Sequence, residues 1–210
     1  AHQDLPHVQV LSAVGVVVPD TVAALSANIT VSLGIAVDNE ANIFFQDTTG
    51  AIRKFDISSG LVYRVAGTGN NVVTPYSGDG TYAKDCHIGP MGIAVDDTGN
   101  LYISDYVNSR IEKVNKFGKI YTIAGNGMYG YSGDGGDALQ AKISYPQNVT
   151  LDKCNNIYIA DFVNRRVRKV TYRECDYTSV RDAPVVPKQI EFTPSPAKST
   201  ITITSESSIH

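Results

Sequence analysis

The feature that most restricts what this chain can fold into is a segment that recurs three times. Gly34-Ile-Ala-Val-Asp38 and Gly92-Ile-Ala-Val-Asp96 are identical, and Asn148-Val-Thr-Leu-Asp152 is a diverged third copy. Each is followed by a second match, Asn42-Ile-Phe-Phe45, Asn100-Leu-Tyr-Ile103 and Asn156-Ile-Tyr-Ile159, which leads to Asp47, Asp105 and Asp161. A third set closes the unit: Ile52-Arg-Lys-Phe55, Ile111-Glu-Lys-Val114 and Val167-Arg-Lys-Val170. The copies are offset by 58 and then 56 residues. Collinear matches at such a period mark a repeat architecture, in which each unit buries its apolar face on its neighbours. Asparagine replacing glycine at 148 is consistent with a shared tolerance of positive φ.

Within a copy the β-rich runs are short and bounded by turn residues. In the middle copy they are Gly92–Val95, Asn100–Ser104, Arg110–Val114 and Lys119–Ala124, with turns at Asp97-Thr-Gly-Asn100 and Asn115-Lys-Phe-Gly118. Four short antiparallel strands per repeat predict an all-β fold, a β-propeller of four-stranded blades with the first strand nearest the axis. Upstream, Val10–Gly15 aligns with Ile120–Gly125, an outermost strand, and Asp20–Leu25 with Asp137–Lys142, a single helical turn. Residues 1–33 are therefore expected to hold a partial blade and an interblade loop, and residues 34–173 three blades. That falls short of the roughly 4–8 blades of closed propellers. An incomplete propeller is expected, its open edges completed by further blades or by a second chain.

Gly92-Ile-Ala-Val-Asp96, Gly99-Asn-Leu-Tyr-Ile-Ser-Asp105 and Asn108-Ser-Arg110-Ile111 together resemble the NHL-repeat signature, and the likeness covers residues 34 to 171. The first copy departs from it, because Asp47-Thr-Thr-Gly-Ala-Ile52 lacks the Asn and the Arg. The resemblance implies a bacterial-type propeller; some similar propellers are lyases or lactonases with metal ligands gathered around the axis. After Val170 the pattern stops. Residues 174–189 read as a linker rich in charge and proline. Residues 190–210, with Pro194-Ser-Pro196-Ala-Lys198 and the alternating Ile201-Thr-Ile203, resemble the opening of a type IX secretion C-terminal sorting domain. That likeness implies a secreted or outer-cell-surface protein that meets the secretion machinery through this region; the alternative is a plain Pro/Ser/Thr linker.

Composition removes other classes. A formal net charge of −3 leaves no broad basic field for nucleic acid. The cluster Arg165, Arg166, Arg168 and Lys169 alternates with valines and reads as one exposed strand face. Val14–Val18 is too short to span a bilayer, and Ala1-His-Gln-Asp4 lacks the features of a signal peptide. Of three cysteines, Cys154 falls in the first turn of the third blade and Cys175 follows its third strand. Both turns emerge at one end of the meander, so a Cys154–Cys175 disulfide is expected, with Cys86 a lone, partly buried thiol. The alternative is three unpaired cysteines.

A further motif, Tyr76-Ser-Gly-Asp-Gly80 and Tyr131-Ser-Gly-Asp-Gly135, repeats in the long connections. In a four-stranded meander the strand 2–3 loop and the interblade connection emerge on one face. Asp105, Asn108, Tyr131, Asp134, Asp161, Asn164, Tyr76 and Asp79 are thus candidate ligand-binding residues on that loop-rich face. Competing structural roles are aspartates that cap turns and intrablade ion pairs, Asp105 with Arg110 and Asp161 with Arg166. Asp38, Asp96 and Asp152 read as turn caps. No cofactor is expected: calcium would suit the carboxylates, but it takes roughly six or more oxygens, which Ser-Gly-Asp-Gly alone does not offer. Only His87 of the histidines lies inside the repeats, too few for a catalytic zinc, and no catalytic residue is assigned. The expected function is an exported propeller acting as a binding, adhesion or interaction scaffold for a protein or glycan on the loop-rich face. The alternative is a metal-dependent propeller enzyme of lyase or lactonase type whose site lies partly in other blades.

Overall fold

The computed structural model describes residues 21–23, 31–69, 76 and 78–171. The chain divides into two compact units, Ala1–Arg173 and Glu174–His210. The expected linker and sorting segment, and the partial strand Val10–Gly15, lie outside the described residues.

The described strands form three antiparallel sheets, and the fold is an all-β propeller arrangement of blades. The first blade contains β2 (Val31–Val37), β3 (Ile43–Asp47), β4 (Ile52–Asp56) and β5 (Leu61–Ala66), with β1 (Thr21–Ala23) added outside β5. The second is the four-stranded meander β6 (Pro90–Val95), β7 (Leu101–Asp105), β8 (Arg110–Val114) and β9 (Ile120–Ala124). The third comprises β10 (Pro146–Leu151), β11 (Ile157–Asp161) and β12 (Arg166–Val170) among the described residues.

The first turn of every blade is built the same way. Asp38 Oδ1 accepts from the N–H of Glu40 and Asn42, Asp96 Oδ1 from Thr98 and Asn100, and Asp152 Oδ1 from Cys154 and Asn156. The asparagine amide then returns to the second carboxylate oxygen at 2.9, 2.8 and 3.0 Å. These are Asx turns that satisfy backbone donors within a few residues. The three aspartates are turn caps.

Alternation along each strand places one apolar set on either face of a blade. Phe44, Ile52 and Ala66 of the first blade pack with Ile93, Leu101, Ile103, Val114 and Ile120 of the second. Tyr102, Ile111 and Ala124 on the opposite face of the second blade pack with Ile143, Val149, Ile157 and Ile159. Each fully buried aliphatic side chain contributes about 1.5–3 kcal/mol, so the core lies between blades. On the opposite face of β2, Leu33, Ile35 and Val37 are exposed, whereas Ile93, the counterpart of Ile35, is buried.

Two expectations change. The repeated glycines do not serve positive φ, since neither Gly34 nor Gly92 adopts it. A Cβ on Gly34 would lie 2.9 Å from the carbonyl oxygen of Met91, and one on Gly92 2.6 Å from Cα of Asn148. The glycines let successive first strands approach closely around the axis. Thr21–Ala23, expected within a helical turn, is instead a strand paired with Leu61–Tyr63. The outer edge of β5 offers unpaired backbone groups, and pairing them outweighs a local helical turn. The connection into the second blade covers β9 similarly, with Gly80 N–H on the Ile120 carbonyl and Ile120 N–H on that of Thr81. The expected helical turn does form in the other connections, as 3-10 turns Ala83–Asp85 and Ala138–Gln140.

Candidate functional site

The strand 2–3 loops hold the first four candidate residues. Asp105 ends β7 fully buried. Its Oδ1 accepts from the N–H of Gly89 at 3.1 Å and of Asn108 at 2.9 Å, and its Oδ2 from the Asn108 amide at 2.7 Å. Asp161 repeats the pattern with the N–H of Ser144 at 2.8 Å and the Asn164 amide. Asn164 also donates to the carbonyl of Gly130 at 2.7 Å, and Asn108 to that of His87 at 3.4 Å. The Asp–Asn pair thus clamps the incoming interblade connection to its own blade. In the first copy, which lacks the Asn, Asp47 instead accepts from the N–H of Thr49 and Ala51 in its own loop.

The ion pairs form with different partners. Arg110 donates to the carbonyls of Gly125 and Asn126 rather than to Asp105, and Arg166 lies 4.1 Å over the Tyr131 ring rather than on Asp161. The arginine that follows the first apolar residue of the third strand, after Ile52 or Val167, takes the aspartate: Arg53 Nε lies 2.6 Å from Asp47, and Arg168 Nη1 3.5 Å from Asp161. A residue that opens β8 or β12 reaches the end of the sheet, where carbonyls and an aromatic face await it. Two residues further on, the side chain faces the interblade core.

Tyr76, Asp79, Tyr131 and Asp134 build a second repeated contact, a latch onto the following blade. Tyr76 receives Arg110 at 5.2 Å, as Tyr131 receives Arg166. Asp79 accepts from the N–H and hydroxyl of Thr122 at 2.8 and 3.0 Å. Asp134 accepts from the Tyr131 hydroxyl and lies 2.6 Å from Arg168. The hydrogen bond from Tyr131 and the Arg168 charge hold the Asp134 carboxyl below the usual range, against the opposing effect of burial. These four residues bind protein groups of the next blade, and Arg168 joins Asp134 to the Asp161–Asn164 clamp.

Two residues with large roles were not singled out from the sequence. Arg168, placed on an exposed face with Arg165, Arg166 and Lys169, is a mostly buried hub. Besides its two aspartates it donates to the carbonyls of Lys142 and Ser132. Glu112 occupies the equivalent position in the second blade, fully buried, with neither carboxylate oxygen in hydrogen-bond geometry with a partner among the described residues. Burial first, then the nearby Asp105 charge, push Glu112 well above the usual carboxylate range, and burial raises Asp105 as well. The signal was the alignment itself: Arg53, Glu112 and Arg168 share one column.

Cys86 is a free, buried thiol whose Sγ lies 2.9 Å from the Thr81 hydroxyl. Cys154 is disulfide-bonded, and Cys175 lies outside the described residues. Among the described residues, no three His, Cys, Asp or Glu side chains are grouped to hold a metal ion, and no helix is long and apolar enough to cross a membrane. The loop-rich face instead displays apolar and aromatic side chains. Met128, Tyr129, Phe162 and Val163 are exposed there, and Tyr145 lies between Tyr106 and Tyr129, at centroid distances of 4.7 and 4.9 Å.

No family model matches this chain. An auxiliary nutrient binding protein from Bacteroides thetaiotaomicron is similar in structure, with TM-score 0.54 and 24% identity, over 67% of this chain and 37% of that one. A structural genomics protein of unknown function from the same species gives TM-score 0.52 and 23% identity, over 61% and 32%. In sequence, the chloroplastic protein SUPPRESSOR OF QUENCHING 1 of Arabidopsis thaliana is 25% identical over 127 residues, 58% of this chain but 12% of that protein. The chain spans only a minor part of each of these proteins, and what it shares with the solved structures is the propeller-like all-β fold.

Proposed function

We propose that this chain is part of an exported, NHL-type propeller that acts as a binding scaffold, taking a protein or glycan on the face where the strand 2–3 loops and interblade connections emerge. The observation that carries this is the pairing of exposed side chains with rigid supports. Met128, Tyr129, Phe162 and Val163 are exposed, on the two segments that the Asp161–Asn164 pair clamps together. An interaction surface combines exposed apolar groups with a frame that loses little conformational freedom on binding. The carboxylates first considered as ligand groups fit the role of that frame, because their oxygens already accept protein hydrogen bonds. The sorting-domain likeness of residues 190–210 supports export to the cell surface.

The labelled chain titrated onto arrayed extracellular proteins and polysaccharides should bind at least one saturably. The double variant Met128→Asp with Phe162→Asp should lose that binding while keeping its thermal transition. Absence of saturable binding, or binding indifferent to the double variant, would refute the assignment. For export, protease treatment of intact producing cells should degrade the complete protein but spare a version lacking residues 190–210. Equal degradation of both would remove the sorting role.

A further inference from the structure

Three non-glycine residues of the loop-rich face, Ser109, Tyr145 and Arg165, have positive φ, and of these Tyr145 carries an aromatic ring. Gly89 and Tyr145 are equivalent residues, each preceding the proline that opens the first strand of a blade. In the second blade a Cβ on Gly89 would lie 2.2 Å from Cγ2 of Val107, so only glycine fits. In the third blade the partner valine is retained as Val163, and Tyr145 takes the glycine position. Its φ is +53°, a left-handed conformation that is a true outlier for a bulky side chain and typically costs about 1–3 kcal/mol. Backbone strain of this kind concentrates at ligand sites. Here its result is specific. The ring is placed between Tyr106 of the β7–β8 loop and Tyr129 of the following connection, tilted 48° to the first and nearly parallel, at 17°, to the second.

Tyr129 ends the stack. One of its faces rests on Tyr145, and the side chain remains 56% exposed. The other tyrosines of these connections are already occupied, Tyr76 by Arg110 and Tyr131 by Arg166. No cation is stacked on Tyr106, Tyr129 or Tyr145 among the described residues. Interaction with the neighbouring Tyr145 phenol raises the Tyr129 phenol above its ordinary value.

From this geometry we infer that Tyr129, supported by Tyr145 and Tyr106, is a stacking platform for the apolar face of a neutral sugar ring. A sugar ring presents C–H groups on its face and hydroxyls around its rim. The open face of Tyr129 suits the first and the phenol hydroxyls suit the second. An uncharged ligand agrees with three rings on which no cation is stacked among the described residues. The inference rests on the binding role proposed above and adds the ligand class and the residues that hold it.

Affinity electrophoresis of the chain through gels containing soluble starch, mixed-linkage β-glucan, xylan or galactomannan tests this. At least one polysaccharide should retard the protein. Tyr129→Ala should weaken that retardation about tenfold, the value of one good aromatic stack. Tyr145→Gly should weaken it comparably while leaving the thermal transition unchanged or higher, because glycine accepts φ of +53° without strain. Tyr82→Ala, exposed on the outer edge, should leave retardation unaltered. Failure of all four polysaccharides to retard the chain, or retention of binding by both platform variants, overturns the inference. If the array still shows saturable binding sensitive to Met128→Asp with Phe162→Asp, only the sugar assignment falls. Loss of both results removes the binding role itself.

Discussion

The second and third blades present the same strand-end aspartate to opposite chemistry. In the third, Asp161 meets the guanidinium of Arg168, which also donates to two carbonyls of the interblade connection. In the second, Asp105 meets Glu112, a fully buried carboxyl without a hydrogen-bond partner among the described residues. The first blade agrees with the third, through Arg53 and Asp47. The same scaffold position thus holds an arginine in two blades and, in the other, a glutamate whose carboxyl is pushed well above the usual range by burial and the Asp105 charge. Two ionised carboxyls side by side in a buried site would cost far more than binding a proton. The difference shows that an aspartate repeated in every blade can serve a constant role as clamp while the group beside it changes sign.

The largest expected effect comes from breaking an arginine-bearing blade. Arg53→Met would leave Asp47 buried without its cation and should lower stability by about 3–5 kcal/mol, read from denaturant unfolding. A loss below about 1 kcal/mol would mean that Asp47 is held by its loop amides alone. The opposite sign is expected in the second blade. Because the folded pKa of Glu112 is raised, its favourable contribution is complete below the unfolded pKa. It is lost as pH rises from that value through the folded one. Glu112→Gln should therefore stabilise the protein at pH 8, on the order of 1–3 kcal/mol, and have little effect near pH 4. A variant that destabilises equally at both pH values would contradict the protonated carboxyl.

A smaller change tests the latches. Asp79→Ala removes the acceptor for two groups of Thr122 and should cost about 0.5–1.5 kcal/mol. Faster amide exchange should be confined to the Thr122 region of β9. The smallest effect is a count. Denatured, unreduced protein should show one free thiol, from Cys86, because Cys154 is disulfide-bonded. The native protein should show none, as Cys86 is buried. Three thiols on denaturation would exclude the Cys154–Cys175 bond.

Much of the fold was legible because its determinants are local. The period, the strand boundaries and the Asx turns at Asp38, Asp96 and Asp152 depend on residues two to four positions apart, and such spacings are written directly in the chain. The alternation that assigns Ile103 and Tyr102 to opposite blade faces is equally local. Export and the Cys154–Cys175 pairing were also read from the sequence, but residues 190–210 and Cys175 lie outside those described.

The roles of the candidate residues were decided elsewhere. Asp161 acquires its partner 17 residues upstream, Asn164 its partner 34 away and Asp79 its partner 43 away. No local pattern distinguishes a carboxylate awaiting a ligand from one that will close on a backbone amide of the neighbouring connection. Glu112 reads as an ordinary charged strand residue until the first and second blades meet over it. Tyr145 reads as a substitution at a glycine position until the steric demand of that site turns its backbone left-handed and stacks its ring between two others. The sequence by itself determined the repeat, the strands and their turns, since short-range hydrogen bonds and side-chain alternation specify them. The tertiary structure alone decided which polar groups were consumed in holding blades together and which aromatic face was left open, because both depend on which distant segments the packed blades bring into contact.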